Sequence, residues 1–233
     1  FRYSPSGTTY DAFRAERYVL AFDNAGMREI LQHLPYEFIV ILGNSETYGG
    51  GGIYNLYSTV AADSGWADYL FVHEFGHHFA ALADEYYTSA AVYEGSTERP
   101  EPWEPNVTAL HDPEQLKWAH LLTPGTDLPT AWPKSEFEAF QRENQARRAQ
   151  LRADNRPETE MNQLFRDEQS WVTKLFAKYP DSNSVTGAFE GANYAATGYF
   201  RPQMNCTMFT RHEHFCNVCS EAIVAIIDQY SNP

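Results

Sequence analysis

One five-residue segment constrains the fold and chemistry of this chain more than any other. Residues 73–77 read His-Glu-Phe-Gly-His and form an HExxH motif. The motif lies within a stretch from about Trp66 to Leu82 whose apolar residues recur at helical spacing. Residues four apart on a helix are one turn apart, so His73 and His77 should project from one face, about 6 Å apart along the axis. Both imidazoles can then reach one Zn²⁺ at about 2.0–2.1 Å. The segment therefore predicts a metal site on a helix.

Glu74 suits the chemistry that such a site performs. It follows His73 directly, so its carboxylate should lie beside a metal ion rather than bind it. Zinc lowers the pKa of water at the metal to about 7, and a neighbouring carboxylate can pass the released proton to a leaving amine. We therefore expect Glu74 to act as general base and acid.

A catalytic zinc also needs a third protein ligand and one open position. Asp84 is the favoured residue, with Glu85 as the alternative and Glu190 a more distant one. If the helix continued, Asp84 would lie about 10 Å further along the axis than His77. We therefore expect the chain to turn after Ala81.

The segment from His73 to Tyr86 resembles the active-site segment of the immunoglobulin A peptidase family of bacterial metalloendopeptidases (metallopeptidase family 64). Ala81 and His78 depart from the family pattern, which has a glycine and a small residue there. The resemblance extends from about Pro35 to the C-terminus, through further pieces in the family's order. These pieces are Tyr48–Gly52, Glu104–Thr108, Lys117-Trp118 with Leu121-Leu122, Phe189–Ala192, Tyr199–Pro202 and Asn205–Met208.

The resemblance implies a fold and an activity. The fold would be an α+β, metzincin-like zincin domain over residues 1–233, with a small twisted sheet, the HExxH helix, a helical insertion at about 134–178 and a C-terminal helix. Met208 would be the hydrophobic floor beneath the zinc, a supporting role. The activity would be that of a zinc-dependent endopeptidase on protein or peptide substrates, with host glycoproteins as candidates. Such an enzyme would be secreted, periplasmic or at the cell surface.

Composition excludes two kinds of partner. The 233 residues include 17 Lys and Arg against 31 Asp and Glu, a formal net charge of −14. Nucleic acid or an anionic membrane surface would need a basic face, so neither is expected as a partner. No apolar run approaches the roughly 18 residues of a membrane span. The sequence begins at Phe1 rather than Met, so we expect upstream segments outside it.

Two other functions remain open. One is a non-catalytic module that keeps the fold and binds a glycoprotein or polysaccharide through Tyr-rich loops. Metal binding alone does not require Glu74, so that residue favours the enzyme. The other is an exopeptidase.

The rest of the chain predicts short strands and several helices, typical of α+β proteins. The resemblance also implies that the strand at Ile53–Val60 is an edge that pairs with an extended substrate, and an internal strand is the open alternative. The other predicted segments are a helix at Tyr10–His33, a buried strand at Phe38–Leu42, a loop at Gly43–Gly52, a surface loop at Tyr93–Thr130, helices at Lys134–Asp154 and Glu158–Lys178, an irregular segment at Gly187–Arg201, and a helix at Cys216–Tyr230 with a core-facing apolar stripe.

The three cysteines all lie in the last 28 residues. We expect a disulfide from Cys206 to Cys216 or Cys219, which would tether the Met208 turn to the last helix. Reduced thiols and a second metal site, with His212 and His214 beside the cysteines, are the alternatives. Near the same turn, four side chains could stabilise the oxyanion that forms on an attacked carbonyl. They are Tyr199, Arg201, His212 and His214.

Overall fold

The computed structural model describes residues 6–15, 17–88 and 99–231. The chain divides into two compact units, Phe1–Ala81 and Leu82–Pro233. Both contain helices and small sheets, which confirms the α+β class. No helix in the described ranges is long and apolar enough to cross a membrane. The single domain stays a prediction, and the first residues of the predicted surface loop, 93–98, lie outside the described ranges.

Within its described residues, the first unit holds a strand pair, a three-stranded sheet and two helices. A short 3₁₀ helix, Ala12–Arg14, separates the first two strands. The elements are β1 Thr8–Thr9, β2 Leu20–Ala21, α1 Asn24–Leu31, β3 Val40–Gly43, β4 Gly50–Ile53, β5 Tyr57–Ala61 and α2 Ala67–Ala80.

The three-stranded sheet has the order β3-β5-β4, with β3 parallel and β4 antiparallel to β5. The predicted Ile53–Val60 strand forms as Tyr57–Ala61, but it is central and wholly buried, so its prediction as a substrate-pairing edge is wrong. Of the loop predicted at Gly43–Gly52, the residues Gly50 to Gly52 belong to strand β4 instead. The Phe38–Leu42 prediction was right in type and wrong in burial, because β3 is an edge strand and Leu42 is 66% exposed.

The helix predicted at Tyr10–His33 forms only in its second half. Asp11 and Phe13 adopt φ angles of 58° and 56°, which interrupt a right-handed helix. Helix α1 begins at Asn24, where the Asp23 side chain accepts a hydrogen bond from the Gly26 N–H at 2.8 Å. The local pattern therefore identified the helix but not its start.

Helix α2 confirms the predicted helix around the HExxH segment. It ends at Ala80, and Ala81 takes the left-handed conformation (φ 55°, ψ 32°) with its N–H donating to the Gly76 carbonyl. This is the predicted turn after Ala81. An alanine makes it where glycine is usual, because the closing backbone hydrogen bond offsets part of the steric cost.

The second unit carries a helical pair, a hairpin and the last helix. Two 3₁₀ turns, Pro113–Gln115 and Ala119–Leu121, precede them. The elements are α3 Lys134–Ala153, α4 Glu158–Ala177, α5 Pro180–Asn183, β6 Phe189–Ala192, β7 Ala195–Arg201 and α6 Asn217–Ser231.

Helices α3 and α4 confirm the two helices predicted for the insertion. Phe140 of α3 stacks on Trp171 of α4, with the ring centroids 3.8 Å apart. Gln141 donates to Glu168 at 2.8 Å across the same pair. Aromatic stacking and this polar contact therefore both hold the pair together.

Strands β6 and β7 form an antiparallel hairpin, so the prediction of an irregular segment at Gly187–Arg201 is wrong. Ala192 pairs with Ala195, which leaves Asn193 and Tyr194 as a two-residue turn. Both have positive φ, 49° and 62°, as the tight turns of hairpins require. Asn-Tyr is an uncommon turn pair, which explains why the sequence did not indicate it.

Helix α6 confirms the predicted C-terminal helix, but its apolar stripe is core only at the start. Val218 and Cys219 are buried, whereas Ile227 and Tyr230 are 46% and 57% exposed. The prediction of a continuous core stripe is therefore wrong for the second half of the helix.

Candidate metal centre

His73 and His77 come together on one face of α2. Their Nε2 atoms are 3.3 Å apart, and the ring planes are nearly perpendicular. Two ligands that each lie about 2.0–2.1 Å from a tetrahedral zinc are separated by about 3.3–3.4 Å. The two nitrogens therefore already have the spacing of one edge of a tetrahedral zinc site.

Tyr69, one turn before His73, sets the orientation of that imidazole. Its hydroxyl lies 3.3 Å from His73 Nδ1. When Nδ1 carries the proton and donates it to this hydroxyl, Nε2 is left with a free lone pair for a metal. Sequence reasoning missed Tyr69, although its position four residues before the first histidine was a usable signal.

Glu74 lies against the glycine-rich strand β4. A Cβ added at Gly50 would come within 2.8 Å of Glu74 Cγ, and one added at Gly52 within 2.7 Å of His77 Cβ. Only glycine lets the strand approach the helix so closely. The glycine run thus has a packing role beside the proposed catalytic residues.

Beyond Ala81 the chain leaves the helix without regular secondary structure and leads to Asp84. The side chains predicted to bind the metal are the imidazoles of His73 and His77 on α2 and the carboxylate of Asp84, which is buried. Two imidazole nitrogens and one carboxylate oxygen are a donor set that suits a catalytic zinc with an open position. The metal-binding roles of the three residues stay predictions.

Backbone hydrogen bonds hold the Asp84 segment in place. The Asn193 N–H donates to the Asp84 carbonyl at 3.0 Å, and the Tyr194 N–H to the Tyr86 carbonyl at 3.1 Å. The Asn106 side chain clamps Ala83, accepting from its N–H at 2.7 Å and donating to its carbonyl at 2.9 Å. Asn106 is wholly buried, and its clamping role was not recognised from the sequence.

Tyr194, rather than Tyr199, is the tyrosine that contacts a predicted ligand. At the tip of the β6–β7 hairpin, the Tyr194 hydroxyl donates a hydrogen bond to an Asp84 carboxylate oxygen. The Tyr199 hydroxyl is committed elsewhere, donating to the Pro100 carbonyl at 3.2 Å. The structure thus gives Tyr199 a structural contact, where the sequence had it as an oxyanion candidate.

Arg201, another oxyanion candidate, is enclosed in the second unit. Its guanidinium carbon lies 3.7 Å from the Phe209 ring centroid and 4.1 Å from that of Trp132, and it donates to the Gly191 carbonyl at 2.8 Å. The distant ligand alternative, Glu190, is paired with Lys134 at 2.8 Å. Both side chains are accounted for by local structural contacts.

His212 and His214, the remaining oxyanion candidates, lie beside each other. Their ring centroids are 5.6 Å apart. Burial lowers the pKa of His212, and the neighbouring His214 lowers it further. Both rings line a surface pocket with residues of helix α4. Neither belongs to the cysteine group, contrary to the alternative of a shared second metal site.

Met208 is wholly buried in the loop before α6. The Met208 carbonyl accepts a hydrogen bond from the Glu85 N–H at 2.8 Å. Met208, the residue predicted to lie beneath the zinc, is therefore bonded directly to the segment that carries Asp84 and Glu85, called the ligand segment below. The Glu85 side chain, the alternative third ligand, points into a group of three cysteines.

The predicted disulfide is not formed. Cys206, Cys216 and Cys219 are all free and buried, and the Cys206 and Cys219 sulfurs are 3.8 Å apart, against about 2.05 Å in a disulfide. Burial raises the pKa of Glu85 well above its ordinary value, and the neighbouring Cys206 raises it further. Burial acts in the same direction on the Cys216 thiol, but hydrogen bonds with Cys206 and Cys219 outweigh it and bring the pKa to about 6.

Comparison with known proteins gives one family. The sequence model described as IgA peptidase M64 matches residues 1–227 of the chain. A search of curated proteins found no match. The family match covers both histidines, Glu74, Asp84 and all three cysteines, and it supports a peptidase acting on protein.

Proposed function

Because the chain belongs to the IgA peptidase M64 family, we propose that it is a zinc-dependent endopeptidase whose ion is held by His73, His77 and Asp84. The observation that carries the proposal is the 3.3 Å spacing of the two imidazole Nε2 atoms. That spacing equals about one edge of a tetrahedral zinc site. Asp84 supports it with a buried carboxylate that accepts a hydrogen bond from Tyr194.

A bound zinc would polarise the scissile carbonyl and make water at the site more acidic. Glu74 then accepts the proton of the attacking water and returns it to the leaving amine. Tyr69 keeps His73 in the tautomer that offers Nε2, and Tyr194 keeps the Asp84 carboxylate oriented.

The metzincin-like plan is part of the same proposal. A left-handed turn follows the HExxH helix at Ala81, a buried methionine lies in a later loop at Met208, and that loop bonds to the ligand segment through Glu85. Substrates are proteins or peptides, with host glycoproteins among the candidates, and the expected location is secreted, periplasmic or at the cell surface.

The test compares wild type with Glu74→Gln, using Asp68→Asn, an exposed acid on the same helix, as the matched control. Unfolded casein is the substrate, and product lengths are read by mass spectrometry. We expect internal cleavage by wild type and by the control. Glu74→Gln should bind zinc normally and lose at least about 100-fold in rate.

Two outcomes would contradict the proposal. Equal inertness of wild type and Glu74→Gln with zinc bound would favour the binding module that keeps the fold. Release of single residues from the chain ends would favour the exopeptidase.

A further inference from the structure

A second group of metal-ligating side chains lies entirely within the second unit. It consists of Glu85, Cys206, Cys216 and Cys219, whose ligand atoms all lie within 4.8 Å of one another. Each of the four is at most 3% exposed. Two distant parts of the chain supply them: Glu85 follows the HExxH helix, whereas the three cysteines lie between the Met208 loop and the first turn of α6.

The spacing within the group is that of ligands around one ion. The Cys206 and Cys219 sulfurs are 3.8 Å apart. Two sulfurs each about 2.3 Å from a tetrahedral zinc are separated by about 3.8 Å. Glu85 Oε1 lies 3.3 Å from the Cys219 sulfur and 3.9 Å from the Cys216 sulfur, so the carboxylate occupies the remaining corner.

The polar groups around the cluster also fit a bound cation. Glu85 Oε2 is buried and has no hydrogen-bond partner, although Asn106 donates to Oε1 at 3.0 Å. An uncompensated carboxylate oxygen in a dry interior is costly, and a cation at the cluster would remove that cost. The buried Arg201 interacts electrostatically with Glu85, Cys206 and Cys216 and offsets the surplus negative charge of such a ligand set.

Backbone N–H groups point at the sulfurs, as they do around metal-bound thiolates. The Cys216 and Met208 N–H groups donate to the Cys206 sulfur at 3.2 and 3.4 Å, and the Cys219 N–H donates to the Cys216 sulfur at 3.4 Å. These donors favour the charged forms of the Cys206 and Cys216 sulfurs.

A disulfide accounts for less of the arrangement. It would join two of the three sulfurs and leave a thiol and a buried carboxylate beside it, whereas one ion uses all four groups. An iron–sulfur cluster is also a poorer fit, because its ligands are typically four cysteines.

We propose that Cys206, Cys216, Cys219 and Glu85 form a structural zinc site, separate from the histidine site. Its four ligands leave no open position, so it has no catalytic role. It ties the ligand segment to the Met208 loop and to the first turn of α6. The inference is independent of the peptidase proposal, because none of its four ligands is a proposed ligand or catalytic residue of the histidine site.

The decisive sample is the 233-residue chain carrying His73→Ala/His77→Ala, purified with zinc under reducing conditions. We expect one zinc per chain by elemental analysis, and three thiols that resist alkylation until a strong chelator is added. Replacing zinc by Co²⁺ should give the near-ultraviolet absorption of thiolate-to-cobalt charge transfer. Adding Cys216→Ser/Cys219→Ser should remove the ion.

Other results would overturn the proposal. One is a His73→Ala/His77→Ala chain that contains no zinc and whose three thiols are freely alkylated. Another is a mass of that chain lower by two hydrogens, which would reveal a disulfide. A third is retention of the zinc ion after Cys216→Ser and Cys219→Ser are added. Should the serine variant not fold, Glu85→Gln replaces it, with Glu101→Gln as the matched control. We then expect at least a 10-fold loss of zinc affinity in the first and none in the second. Zinc content of wild type and activity of Glu74→Gln test the peptidase proposal separately.

Discussion

Tyr194 shows how one side chain acquires a role from its place in a turn. It has positive φ at the tip of the β6–β7 hairpin, and its hydroxyl donates to Asp84. Tyr199, five residues further along the chain, is held by the Pro100 carbonyl. A hydrogen bond to a metal-binding carboxylate orients it and raises the affinity of the site.

Replacing Tyr194 by Phe should therefore weaken zinc binding at the histidine site by about 10-fold. Competition with a chelator of known affinity measures the change. Tyr199→Phe removes the same atom at a different contact and should leave the affinity unchanged. Equal effects of the two changes would contradict the role assigned to Tyr194.

His78 carries a pH dependence of stability. Burial lowers its pKa, and its ring contacts those of Phe38 and Phe75 at centroid distances of 5.7 Å. Since the folded pKa lies below the unfolded value of about 6.5, folding favours the neutral ring. Its contribution to stability is present above about pH 6.5 and is lost as the pH falls through the folded pKa.

The His78→Phe variant should lose less unfolding free energy than wild type between pH 7 and pH 5. Urea unfolding at a series of pH values measures this slope. His33→Phe, at an exposed position of the same unit, is the control and should follow wild type. If the unfolding free energy of His78→Phe falls with pH as steeply as that of wild type, His78 is not the source of the pH dependence.

At the scale of elements, the strand β4 and the helix α2 depend on each other. A Cβ added at Gly52 of β4 would lie 2.7 Å from His77 Cβ and even closer to the Glu74 carbonyl oxygen, both on α2. Packing this tight transmits any added volume to the helix that carries both histidines.

Gly52→Ala should lower the free energy of unfolding by about 1–3 kcal/mol, because the added methyl overpacks the contact. It should also reduce zinc binding by displacing His77. Gly43→Ala is the matched control, since its Cβ would meet only the Val60 carbonyl at 3.5 Å, an ordinary contact. Denaturant titration of both variants checks the prediction, and similar losses would contradict it.

At the scale of the whole molecule, zinc is expected to contribute to stability at two independent sites. A ligand present at 100 times its dissociation constant stabilises the folded state by about 2.7 kcal/mol. The proposed ligands of one site are His73, His77 and Asp84. Those of the other site are Glu85 and the three cysteines.

Chelation should therefore lower the melting temperature of wild type more than that of His73→Ala/His77→Ala. The chain that also carries Cys216→Ser/Cys219→Ser should not respond to the chelator. Differential scanning calorimetry with and without the chelator gives the three shifts. An equal shift in wild type and the histidine variant would contradict a contribution from the histidine site.

The parts of the fold that sequence could predict are those that local periodicity encodes. Helix α2 and the helices α3 and α4 appear where their patterns place them, and the turn at Ala81 follows from the reach that Asp84 needs. The glycine-rich strand β4 was predicted to be a loop, because its three glycines carry no strand signal of their own. Its conformation depends on the pairing with β5 and on the close approach of α2.

The sequence by itself determined the helix with its two histidines, since a spacing of four residues defines a shared helical face whatever surrounds it. Only the tertiary structure decided that Glu85 lies among the cysteines and that Tyr194, not Tyr199, contacts Asp84. These groups are 100 or more residues apart in the chain, as in the Tyr194–Asp84 hydrogen bond. Their meeting depends on strand register, a hairpin turn and buried backbone hydrogen bonds, none of which a local pattern encodes.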